Sequence, residues 1–123
     1  MIFSMLKIKP LPDKRQQIIE VLKSVQREVL LMHDCLLSEI YQTIDDRSII
    51  FYLEQWQCKK VLHRHIESDL FMRVLTVMEL AAEAPEISFS EVTEVRSMDL
   101  ISALRELGTD ENESGIELSA KDR

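Results

Sequence analysis

The sequence predicts an α+β fold of the ferredoxin-like kind, a βαββαβ antiparallel sheet with its helices on one face. Three observations carry this. An apolar opening segment halts at Pro10 and Pro12 before a long amphipathic helix; a hairpin follows whose second strand is apolar on both parities; and a second helical block stops at Pro85 ahead of one more strand.

Residues 1–9 are rich in Ile, Leu, Phe and Met and run into the two prolines, as a strand entering a turn does. Pro12 suits the first turn of the next helix. From Asp13 to about Leu31, Ile18, Leu22, Val25 and Val29 recur at helical spacing among charged and amide residues, predicting one buried stripe. CLLSEIYQTI, the polar turn DDRS and IIFYLEQW then form the hairpin. In its second strand Ile50, Tyr52, Glu54 and Trp56 point one way and Ile49, Phe51 and Leu53 the other. A sheet with one wet face would alternate polar and apolar, so both faces are expected to be covered, one by the chain's own helices and the other by a second subunit. KKVLHRHIE turns helical, and SDLFMRVLTVMELAAE continues as a longer helix with Ser68 as cap, Asp69 in its first turn, and Leu70, Phe71, Val74, Leu75 and Met78 as its buried stripe. EISFSEVTEV is the last strand. This gives a domain over 1–95 and a C-terminal extension over 96–123, with a short helix at MDLISALREL and a solvated, mobile acidic tail from 109 that is dispensable for folding.

The 123 residues suffice for one domain with a modest core. A net charge of -7, from 15 basic and 22 acidic residues, opposes binding to nucleic acid or to an anionic membrane. The N-terminus is interrupted by Ser4, Lys7 and Lys9, so it fits neither a secretory h-region nor a membrane span, and a cytoplasmic location is expected. The two glycines, Gly108 and Gly115, lie near the C-terminus, which excludes the glycine loops of Walker-type and dinucleotide sites.

The segment LEQWQCKKVLHRH, residues 53–65, concentrates the chemistry. His63 and His65 stand two apart on a helix, roughly 200° around its axis, and cannot share a metal. His65 falls with Val61, Leu62 and Ile66 on the inward side and His63 with Lys59 on the polar side. His65 is then either a core histidine satisfied by a carbonyl or a group facing a pocket. Glu54, between Tyr52 and Trp56, is either a hydrogen-bonded structural acid or a tuned one. A hairpin symmetric about Asp46 and Arg47 would oppose Cys35 to Cys58 and Glu39 to Glu54. A one-residue bulge would undo both pairings, and two thiols in a cytosolic chain are usually reduced. No second Cys or His pair completes a zinc set.

The element order, E-x-W at Glu54 and Trp56, K-K-x-L-x-x-H ending at His65, and S-D-x-F at Ser68, Asp69 and Phe71 together resemble the antibiotic biosynthesis monooxygenase superfamily over about residues 1–95. The resemblance implies a homodimer whose sheets pack face to face as a dimeric α+β barrel. It also implies a cofactor-independent monooxygenase acting with molecular oxygen on a quinol, phenol or polycyclic aromatic, without metal or flavin. His65 and Trp56 would be catalytic, His65 as base or as partner to the substrate oxygen; Glu54, Phe71 and Leu75 would form the substrate-binding set, with Glu54 orienting a neighbouring donor. Haem-degrading relatives carry their proximal histidine where this chain has Leu75, and an asparagine missing from MIFSMLKIK. Asp34 stands where many members have glycine. A deprotonated phenol is electron-rich enough to reduce oxygen, and an imidazole with an ordinary pKa of ~6.5 suits as its base. The competing reading is a non-catalytic dimeric module that binds a small ligand or a regulatory partner. Oxygen uptake by metal-free protein separates the two.

Overall fold

In a computed structural model, which describes residues 1–110, strand β1 (Ile2–Ile8) leads through a short 3-10 turn at Pro12–Lys14 into helix α1 (Arg15–Val29). Strands β2 (Cys35–Gln42) and β3 (Ile50–Trp56) form the hairpin, helices α2 (Lys59–Ile66) and α3 (Asp69–Met78) follow, and strand β4 (Glu86–Glu91) closes the sheet. The sheet is wholly antiparallel in the order β2-β3-β1-β4. This is the expected α+β, ferredoxin-like arrangement. The described chain divides at Val92 into a first compact unit, Met1–Val92, and a second beginning at Thr93, which holds helix α4 (Met98–Asp110). Most of the acidic tail lies outside the described residues.

One sheet face carries the core. Ile2, Leu6 and Ile8 of β1 and Ile50, Tyr52 and Trp56 of β3 are buried there with Ile18, Leu22, Val25 and Val29 of α1. The four α1 residues are the stripe read from spacing, and each such aliphatic side chain removed from water contributes about 1.5–3 kcal/mol. The opposite face is only half covered by its own chain: Phe3, Met5, Leu37, Phe51 and Leu53 are partly exposed and Tyr41 is exposed.

Three expectations need correction. The hairpin is not symmetric about Asp46 and Arg47. The register set at the turn pairs Gln42 with Ile50 and puts Ser38 rather than Glu39 opposite Glu54; a bulge at Leu36 then moves Cys35 opposite Trp56, and Cys58 faces no cysteine. Both thiols are free, Cys35 buried and Cys58 exposed. The buried stripe of α3 is Phe71, Val74 and Val77, while Leu75 is 42% exposed. A ten-residue helix packed along α1 presents a narrow seam of three-residue steps, and the wider stripe assumed more contact than it makes. Finally, α3 ends at Met78, well before Pro85, because the chain turns back onto β1: Leu11 donates to the Leu80 carbonyl at 3.0 Å and Ala82 to the Lys9 carbonyl at 2.7 Å.

Candidate functional site

Glu54 occupies the third inward position of β3, and its neighbours on both adjoining strands are serines, Ser4 on β1 and Ser38 on β2. Small side chains on both sides leave space above the carboxylate. His65, from the last turn of α2, fills it. The elbow between α2 and α3 holds this histidine in place: the Ser68 N–H and hydroxyl both donate to the His65 carbonyl, at 3.0 and 2.6 Å, while the same hydroxyl accepts from the Phe71 N–H and caps α3. Ser68, read from sequence as a cap, thus also fixes the backbone of His65.

The three polar groups meet out of water. Glu54 is 3% exposed and His65 4%, and Trp56 is fully buried. Glu54 Oε1 accepts from Trp56 Nε1 at 3.0 Å and lies 3.3 Å from His65 Nε2; Oε2 accepts from the Tyr52 hydroxyl at 2.6 Å. The Tyr52 oxygen itself accepts from the Ser38 hydroxyl at 3.0 Å. Burial alone would push the Glu54 carboxyl up, but His65, Tyr52 and Trp56 outweigh it and hold the group below the ordinary carboxylate range. The same buried charge acts on its neighbours. Burial first and then Glu54 push the Cys35 thiol up to about 11, and both drive the Tyr52 phenol upward as well.

His65 lies with its ring centroid 4.7 Å from Trp56, tilted 30°, and meets Phe71 edge-on at 5.4 Å. Its two nitrogens differ. Nε2 has the Glu54 carboxylate within ion-pair distance but without the alignment of a full hydrogen bond, and Nδ1, equally buried, has no hydrogen-bond partner among the described residues. A buried imidazole nitrogen left without a partner costs about 1–3 kcal/mol unless something else satisfies it. The sequence reading of a core histidine satisfied by a carbonyl therefore does not describe this ring.

A cavity of about 240 Å³ adjoins His65, lined also by Trp56, Met32, Asp34, Val61, Arg64 and Ser68. Of the five residues singled out from sequence, His65 and Trp56 line it. Glu54 lies behind His65, Phe71 supports the ring edge, and Leu75 is on the exposed side of α3. Met32 and Asp34 arrive from the α1–β2 turn, which no spacing rule connects to α2. Tyr52 was visible as an inward neighbour of Glu54, whereas Ser38 is brought opposite Glu54 by a register that the turn sets. Among the described residues no group of three or more His, Cys, Asp or Glu side chains could hold a metal ion, and no helix is long and apolar enough to cross a membrane.

The family model described as antibiotic biosynthesis monooxygenase matches residues 1–76. Among solved structures, a conserved protein of Methanosarcina mazei is similar at 27% identity and a TM-score of 0.69, over 75% of this chain and 92% of that one. A Deinococcus radiodurans protein bearing the antibiotic biosynthesis monooxygenase name is 14% identical with a TM-score of 0.71, over 79% and 97% of the two chains. A Bacteroides thetaiotaomicron conserved protein of unknown function is 21% identical with a TM-score of 0.67, over 74% and 96%. The last two likenesses are of fold alone. Among curated proteins no sequence matches this chain.

Proposed function

Because the chain belongs to the antibiotic biosynthesis monooxygenase family, we propose that it is a cofactor-independent monooxygenase that uses molecular oxygen to oxidise a quinol, phenol or related polycyclic aromatic. The observation that supports this most is the pairing at His65: one nitrogen faces an ionised, buried carboxylate and the other has no protein partner beside a cavity. An acceptor-only carboxylate favours a proton on Nε2, which leaves the lone pair of a neutral ring at Nδ1. On this reading that atom takes the proton of a substrate hydroxyl.

On this reading the phenolate transfers an electron to oxygen, a carbon–oxygen bond forms at the activated ring carbon, and water leaves as the carbonyl of the quinone forms. One oxygen atom remains in the product and the other departs as water. The protein supplies the base, a water-poor site and orientation. Trp56, Val61 and Met32 offer flat and apolar contacts to a ring, and Asp34 and Arg64 offer polar ones. Phe71 holds the imidazole edge, and Leu75 takes no part in this cavity.

The molecule would act as a homodimer through the sheet face of Phe3, Met5, Phe51 and Leu53, which its own helices leave half covered. Chelator-treated protein, presented with a panel of hydroquinones and anthrones in an oxygen electrode, tests the reaction. Uptake at a rate proportional to enzyme concentration is expected. Saturable binding of these compounds without oxygen uptake would replace the oxygenase with the binding module.

A further inference from the structure

Two residues outside the cavity lining are tied to it by hydrogen bonds. Ser38, in the middle of β2, donates to Tyr52 on β3 at 3.0 Å; Tyr52 donates to Glu54 Oε2 at 2.6 Å; and the other carboxylate oxygen faces Trp56 and His65. All five side chains are buried. The carboxylate sets the direction of the donors in this chain. Glu54 is acceptor-only and charged, so it holds the Tyr52 proton in preference to the Ser38 hydroxyl. The Tyr52 oxygen is then an acceptor for Ser38. A carboxylate fixed at Oε2 cannot rotate, and so it keeps Oε1 between Trp56 Nε1 and His65 Nε2.

We propose that Tyr52 and Ser38 are positioning residues, which lock Glu54 so that it holds neutral His65 as its Nε2–H tautomer and keeps the Nδ1 lone pair for the ligand. The inference rests on the functional reading only in the use made of Nδ1; the lock itself is a property of the folded protein. Without the Tyr52 hydroxyl, the buried carboxylate loses one of its three supports, becomes free to turn, and can take up a proton. A protonated carboxyl donates as readily as it accepts, and the preference between the two imidazole tautomers then weakens.

The test is a ring-nitrogen NMR measurement on uniformly ¹⁵N-labelled protein, taken at a pH where the ring shifts themselves show His65 to be neutral. The two nitrogens of a neutral imidazole resonate far apart according to which carries the proton, and a His65→Gln spectrum identifies the His65 signals among the three histidines. Wild type should show the Nε2–H pattern. Tyr52→Phe keeps the volume and removes a charge-assisted bond, and should lower the tautomer ratio about tenfold or more; Ser38→Ala removes a neutral bond one step further out and should lower it roughly threefold. His63→Gln, exposed on the far side of α2, should leave it unchanged. If Tyr52→Phe fails to fold, Ser38→Ala decides alone.

An unchanged ratio in the folded variants overturns the positioning role, whatever oxygen assays give. With an active hydroquinone, Tyr52→Phe should also lose about tenfold in kcat with KM held within roughly twofold. A shifted tautomer ratio with unchanged kcat would uphold the lock and count instead against Nδ1 as the base.

Discussion

Replacing Glu54 with leucine isolates the energetic cost of the polar cluster, because the change removes the common acceptor and little volume. Trp56 Nε1–H and His65 Nε2–H would lose the oxygen they face, whereas the Tyr52 hydroxyl can turn toward Ser38 and is not stranded. Two buried donors at ~1–3 kcal/mol each give a loss of about 2–6 kcal/mol. In a domain of this size ~1 kcal/mol moves Tm by about 4–8 °C, so a fall of at least roughly 10 °C is expected. Urea titration followed by tryptophan fluorescence reads the same loss as a lower midpoint with an unchanged slope, and Trp56 is the sole tryptophan. Adding His65→Leu leaves one stranded donor rather than two, so the double variant should be more stable than the sum of the single losses by about 1–3 kcal/mol. Full additivity, or a Glu54→Leu protein that melts within a few degrees of wild type, would refute the coupling between Glu54 and His65.

Acid unfolding should report the same carboxylate. Glu54 is held below its unfolded value of 4.5, so its stabilisation is complete above pH 4.5 and is lost as pH falls through the folded pKa; Glu54→Gln should flatten that limb of the stability curve, and an unchanged acid midpoint would contradict it. Alkylation followed by mass spectrometry should modify Cys58 in the native protein and Cys35 only after unfolding, since burial pushes the Cys35 thiol up to about 11; equal labelling rates would show that the β2 end of the core is open. Light scattering at micromolar concentration should give a dimer that Leu53→Glu converts to a monomer, because that change puts a charge on the half-covered sheet face. A wild-type monomer would remove the sheet-face interface.

How far the sequence carries is clearest in particular residues. Ile18, Leu22, Val25 and Val29 were legible because helical period and burial coincide, and His65 was distinguished from His63 by the same geometry on α2. The E-x-W pair was legible as a carboxylate with no evident reason to face inward. What escaped depended on contacts across the fold. The turn sets the hairpin register one residue away from the symmetric one, which hid Ser38 behind Glu39, and the bulge at Leu36 takes Cys35 further still from a pairing with Cys58. Leu75 was assigned inward by a wheel that assumed a wide seam, and Met32 and Asp34 reach the cavity only because the α1–β2 turn passes beside α2. Periodicity gives the face of an element; it says nothing of which distant turn that face will meet.

Whether His65 acts as a base is decided by the initial rate of oxygen uptake by wild type, His65→Gln and His63→Gln with the best hydroquinone of the panel, from about pH 5.5 to 8.5 across the imidazole range. His65→Gln should fold, lose roughly 10² to 10⁴ in turnover and lose the pH dependence near neutrality, while His63→Gln should match wild type. Turnover that survives in His65→Gln with its pH profile intact would remove His65 from the reaction and leave the cavity to act by orientation alone.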